Sequence, residues 1–233
     1  MKHEDTVLAI VAGFVDTLGF VALFGLFTAH VTGNFVLIGA EAAGLGQGVL
    51  MKLLAFPAFI AGVALSSAVV RARGGKPPAT AARPLYALQA ALLAGFLVAG
   101  LYAAPVRDAQ APAAILCGLL GAVAMGVQNA HARLVGRPGV PNTVMTGNVT
   151  QAVLDTLDAL LSHPDAAARR IARERLMRTL GPLAGFGIGA IAGATTYVRL
   201  SFGALALPLA LIVWLAFRSG AGAPATGSRD AAR

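Results

Sequence analysis

Six apolar runs, each close to the length of a bilayer core, dominate this chain. They cover residues 7–27, 51–70, 84–104, 112–130, 179–198 and 202–217. About 20 apolar residues carry a helix across the hydrocarbon layer. Lipid offers the backbone no hydrogen-bond partners, so continuous apolar runs of this length must cross as helices. The last run is short for a full crossing. Composition points the same way. The 233 residues are 57% hydrophobic and only 12% charged, with mean hydropathy +0.75. A soluble domain carries roughly 25% charge, so this chain has too few charges to cover a water-facing surface. The fold class expected is all-α: a polytopic membrane protein of about six transmembrane helices in a single membrane domain. The residues before the first run are too few and too acidic for a cleaved signal peptide, so that run is read as a retained span. Residues 218–233 are read as a disordered cytoplasmic tail.

Six spans put both termini on one side, and the basic residues say which. On that side fall Lys2, Arg71, Arg73, Lys76, Arg83, Arg133, Arg137, Arg169, Arg170, Arg173, Arg175, Arg178, Arg218, Arg229 and Arg233. Opposite fall only Lys52, Arg107 and Arg199, a split of 15 to 3. Positive residues stay inside, so both termini are expected in the cytoplasm.

The chain also repeats itself. Thr32-Gly33-Asn34 returns as Thr146-Gly147-Asn148. Gly13-x-x-Asp16 precedes the first copy and Gly126-x-x-Asn129 the second. A Pro-led apolar run follows each, from Pro57 to Gly62 and from Pro182 to Gly187. Repeat 1 is expected over about 7–104 and repeat 2 over about 112–217. Three spans per repeat is an odd number, so the second half must be inverted in the membrane. Inverted repeats commonly place a transport site near the midplane at their interface.

After each Thr-Gly-Asn comes an apolar stretch too short to span but long enough for a half-helix. Thr and Asn suit N-caps and Gly eases a tight turn. Two such helix starts would turn free N–H groups and the positive end of the helix dipole inward. The plainer reading is a loop turn with a helix cap. Asp16 is the one acid expected inside a span, and intramembrane acids are functional candidates by default; the alternative is an interfacial or structural pairing. The substrate-binding set read from the sequence is Asp16, Thr32, Gly33, Asn34, Gln128, Asn129, Thr146, Gly147 and Asn148. His30 and His131 can relay protons near neutral pH, with an interfacial position as the ordinary alternative.

Other features are structural. Ala58-x-x-x-Gly62-x-x-x-Ser66, Gly118-x-x-x-Ala122-x-x-x-Gly126 and Gly185-x-x-x-Gly189-x-x-x-Gly193 are small-residue stripes that let helices approach closely, or join two copies as a homodimer. Pro57 and Pro182 kink or start their helices. Residues 165–180 read as a basic cytoplasmic helix on anionic headgroups, with Glu174 and Arg178 placed to pair. No nucleophile–base set, metal-ligand spacing or cofactor motif stands out, so no enzyme, metal or cofactor is expected. The formal charge of +8 sits in a few loops, and no nucleic acid is expected as a partner. The partners expected are the lipid bilayer and a small-molecule solute.

The segments 15–20, 32–34, 125–130 and 143–148 resemble the YoaK-type family of small bacterial integral membrane proteins of unknown function. The resemblance runs from about residue 7 to 217. It implies an inner-membrane protein of about six spans and no particular substrate. The function expected from the residues is a small secondary transporter for an anionic or dipolar solute. A channel lined by the two half-helices and a non-transporting scaffold are the alternatives.

Overall fold

A computed structural model describes residues 3–74, 77–135, 142–143, 145–160 and 166–220. Among them there is helix and no strand. The helices are α1 (Glu4–Ala22), α2 (Gly33–Ala42), α3 (Val49–Arg71), α4 (Ala82–Ala103), α5 (Pro112–Leu134), α6 (Met145–Leu160), α7 (Ala166–Leu200) and α8 (Ala206–Gly220). Short 3-10 turns precede α4 and α8. The expected tail beyond residue 220 lies outside the described residues.

Five stretches are long and apolar enough to cross a membrane: Glu4–Ala22, Val49–Arg71, Ala79–Ala103, Pro112–Leu134 and Ala166–Ser219. The chain is therefore a polytopic, all-helical membrane protein. The last stretch has 54 residues, which at 1.5 Å each is about 80 Å of helix, far more than one crossing. It is broken by Ser201, whose left-handed φ of 50° no helix interior tolerates. The break separates α7 from α8.

Two expectations about α7 change. Residues 165–180 were expected as a separate surface helix. Instead the basic residues from Arg169 to Arg178 and the apolar run after Thr179 form one helix of 35 residues. Nothing between them interrupts the i→i−4 ladder except Pro182, which is accommodated inside the helix, as is Pro57 in α3.

Helix directions follow from contacts. Thr6, Ile10 and Phe14 of α1 meet Gly185, Gly189 and Gly193 of α7 in that order, so these helices run parallel. Met51 and Phe59 of α3 meet Gly118 and Gly126 of α5, again in parallel. Gln89 and Phe96 of α4 meet Gln128 and Gly121 of α5, so that pair is antiparallel. The α1 and α5 spans are the inner ones, with 61% of the most apolar 18 residues of each buried against 17% for α3. The bundle therefore has two ends. One holds the α1 C-terminus, α2 and the α3 N-terminus. The other holds the α1 N-terminus, the α5 C-terminus and α6.

The two parallel pairs are built alike. A Cβ on Gly13 would overlap the Phe186 carbonyl oxygen, and one on Gly126 the Phe59 carbonyl oxygen. Likewise Gly189 presses on the Ile10 carbonyl and Gly62 on the Val123 carbonyl. Only glycine lets two backbones come this close. The contacts match Gly62 with Gly189 and Phe59 with Phe186, a register two residues away from matching Pro57 with Pro182. Gly187, the expected partner of Gly62, faces open space. The small-residue stripes are thus covered within the chain and do not form a free face for a second copy.

Candidate functional site

The sequence-derived polar set separates into two clusters, one at each end of the bundle. At the first end, α1 stops at Ala22 and the chain folds back through Phe24 and Gly25, with φ of 53° and 80°. This brings residues 27–30 under the last turns of α1. Asp16 is buried there, and its Oδ1 accepts the backbone N–H groups of Thr28 and Ala29, each at 2.7 Å. His30 N and Thr28 Oγ1 lie at 3.4 Å from the same oxygen. Oδ2 bonds His30 Nδ1 at 2.7 Å. These N–H donors stand where water would otherwise solvate the carboxylate. The His30 ring is partly exposed and stands edge-on to Phe27 and to Phe186 of α7.

Asn34 belongs to the same fold-back. Its Oδ1 accepts Phe27 N–H at 2.9 Å, and its Nδ2 donates to Phe27 O at 2.8 Å. This replaces the expected capping role. Thr32 holds the N-cap place of α2 without a side-chain cap bond, and Asn34 lies inside the helix, reaching back to the loop. In the second copy, Thr146, Gly147 and Asn148 are likewise inside α6, and Asn148 Nδ2 lies 3.5 Å from Met145 Sδ. In the first copy the Asn fastens the preceding loop to the helix start; in the second its contact is with the first turn of its own helix. The short helices do not converge: α2 packs on α3, and α6 packs on α7.

At the other end, Gln128 is fully buried in α5 and bridges three segments. Its Nε2 donates to Leu8 O of α1 at 2.8 Å and to Asn142 Oδ1 at 3.2 Å. Its Oε1 accepts Gln89 Nε2 of α4 at 2.7 Å. Asn129 Nδ2 donates to Thr143 Oγ1 at 2.6 Å. His131 is buried and stacked on Tyr86, with ring centroids 4.3 Å apart. Tyr86 O–H donates to Glu4, which is buried at the start of α1. Asp16 is therefore not the one acid inside the helical bundle. From Leu8 to Asp16 the rise along α1 is about 12 Å, so the clusters share a helix but not a contact.

Two further acids escaped the sequence reading. Glu41 and Asp155 each stand seven residues after the Asn of their Thr-Gly-Asn. Glu41 pairs with Lys52 on α3, and both side chains are nearly closed off, 4% and 3% exposed. Lys52 Nζ also donates to Phe24 O at 2.8 Å and Gln47 O at 2.5 Å. Asp155 pairs with Arg175 on α7 at 2.8 Å and also accepts from Gln151 at 2.9 Å. Asp155 is fully buried while Arg175 is 52% exposed. The missed signal was that common spacing. Among the described residues no group of three or more His, Cys, Asp or Glu could hold a metal ion.

The family described as "Protein of unknown function (DUF1275)" matches residues 6–218. The chain belongs to this family. It is also 34% identical over 152 residues to the UPF0700 transmembrane protein YoaK of Bacillus subtilis (strain 168), a stretch covering 64% of each chain. The matched length of this relative is thus just under two thirds. No solved structure matches. The DUF1275 match takes in both Thr-Gly-Asn copies, all eight helices in whole or large part and both polar clusters.

Proposed function

We propose that this DUF1275 chain is a small secondary transporter whose six spans form two inverted halves, α1–α4 and α5–α8. Matching α1 with α5 and α3 with α7 turns the α1–α7 pair into the α5–α3 pair. α1 and α5 point oppositely, so the relation is an inversion. The crossed glycine contacts carry this reading: Gly13 on Phe186 answers Gly126 on Phe59, and Gly189 on Ile10 answers Gly62 on Val123. The 15-to-3 charge split then puts both termini in the cytoplasm of a bacterial inner membrane, with the Asp16 cluster outward and the Gln128 cluster inward.

Backbone-to-backbone packing makes each pair rigid, so alternating access would rock one pair against the other. The joint between them is polar, where Gln128 holds Leu8 O and Gln89. Amides that both donate and accept suit a small dipolar solute better than a strongly anionic one. The Thr-Gly-Asn residues anchor loops in this reading, and Asp16, His30, Gln128 and Asn129 form the two mouths of the path. Glu41–Lys52 and Asp155–Arg175 act as outer and inner latches. The outer pair is closed off from solvent, while in the inner pair only Arg175 is exposed and Asp155 is buried.

The test begins with topology. With Cys117→Ala removing the single cysteine, a probe at exposed Gln47 should label from outside only; labelling solely from the cytoplasm would end the inverted arrangement. A thermal-shift screen of small polar solutes on the purified protein then supplies a ligand. In proteoliposomes that ligand should show saturable counterflow. Conductance without counterflow would mean a channel, and unchanged behaviour on loss of Asp16, Asn34, Gln128, Asn129 and Asn148 would mean a scaffold.

A further inference from the structure

α7 has 35 residues and is about 52 Å long, against a hydrocarbon core of about 30 Å. Its first four turns therefore extend past the apolar layer, and α6 packs on that extension. Between the two helices lies an open groove of about 240 Å³, lined by Val149, Ala152, Val153 and Leu157 of α6 and by Leu176, Leu180 and Leu183 of α7 among others. Five residues separate Leu160 from Ala166, so with Asp155 paired to Arg175 the two helices run antiparallel. So the Val149 and Leu183 end points toward the middle of the bundle, and the Leu157 and Leu176 end toward the α7 N-terminus.

The lining of α7 continues a stripe. Residues 169, 173, 176, 180 and 183 step by four, three, four and three, which keeps them on one helix face. The last three are leucines of the groove and the first two are Arg169 and Arg173. Both arginines are exposed, and neither makes an ion pair among the described residues. Nearby Arg175 is already committed to Asp155, with Asp158 at 3.9 Å, and Glu174 lies on the same exposed extension. An apolar slot running into two unneutralised guanidinium groups is complementary to a tail with an anionic head. Guanidinium binds phosphate oxygens in a forked geometry that a zwitterionic headgroup partly offsets.

We propose that the α6–α7 groove holds an acyl chain of an anionic glycerophospholipid, with its phosphate on Arg169 and Arg173. The site is independent of the transport reading, since it needs only a membrane-embedded chain.

Native mass spectrometry of the full chain, delipidated in detergent and offered equal phosphatidylglycerol and phosphatidylcholine, tests this. The wild type should retain phosphatidylglycerol roughly thirtyfold over phosphatidylcholine, the scale expected for two basic residues at about 1 kcal/mol each near an anionic headgroup. R169Q/R173Q should bring the ratio to parity. Leu180→Trp, which fills the groove, should lower retention of both lipids. Arg218→Gln, at the end of α8 beneath Trp214, should leave the ratio unchanged. An unchanged ratio in R169Q/R173Q, or an equal fall in Arg218→Gln, would overturn the proposal. So would displacement of the lipid by millimolar inorganic phosphate, which would make the site one for free anions.

Discussion

Asp16 and Asn129 occupy matching places, three residues after Gly13 and Gly126, yet they do different work. Asp16 reaches into the segment 23–32 that follows α1, and Asn129 reaches Thr143, which lies between α5 and α6. Asp16 gathers two backbone N–H groups and His30. Asn129 donates to a single hydroxyl, that of Thr143. A carboxylate accepts only, so it can order a run of N–H donors around itself, while an amide must find both donor and acceptor. The same backbone design therefore holds the segment after α1 through several donors on one carboxyl group, and Thr143 through one amide bond. Beside Asn129 the connecting task passes to Gln128, which ties α1, α4 and Asn142 together.

The sharpest way to break this likeness is to attack the backbone contacts on which it rests. Gly13→Leu and Gly126→Leu should each abolish a monodisperse folded protein, because the new side chain collides with a helix carbonyl that cannot move aside. Overpacking of this kind costs about 3 kcal/mol or more. Size-exclusion profiles in detergent check it. Gly187→Ala, which meets nothing within 4 Å, should be neutral. If Gly13 and Gly126 differed strongly in tolerance, the two pairs would not be equivalent.

The latches should separate next. Lys52→Met leaves Glu41 buried without its cation, and breaking such a pair costs about 3–5 kcal/mol. Arg175→Met should cost less, about 1 kcal/mol, because Arg175 is half in solvent and Gln151 still serves Asp155. Thermal midpoints of the two variants in one detergent measure the gap. Equal losses would mean that burial does not distinguish the two ends.

A third difference is expected at the matched residues Asp16 and Asn129 themselves. Asp16→Ala strands the buried N–H groups of Thr28 and Ala29, at about 1–3 kcal/mol for each group. Asn129→Ala removes one bond, at about 1 kcal/mol. Asp16→Asn should fall between, since its amide oxygen can still accept both N–H groups. Denaturation midpoints should rank Asp16→Ala below Asp16→Asn and Asn129→Ala. A reversed order would show that the linker after α1 is held by something other than Asp16.

Much of this was legible in the residues. Lipid compels helices wherever a run is apolar and long, so the segments at 51–70 and 112–130 could be read directly. The duplicated Thr-Gly-Asn marked corresponding loops, and the small-residue stripes announced close helix contacts. What the stripes could not say was which helix they meet. That depends on how far each helix is shifted along its neighbour, and the packing, not the prolines, set that register at Gly62 and Gly189. Asp16 was visible as a buried acid, but a sequence does not show that a ten-residue loop folds back to wrap it. Asn34 looked like a cap because caps are local; its true partner, Phe27, lies seven residues upstream. Glu41 and Asp155 passed unnoticed because their burial comes from the cation on the next long helix. Solvent preference acts residue by residue and is written in the sequence. Partner choice among buried polar groups needs the distances that only the folded bundle supplies.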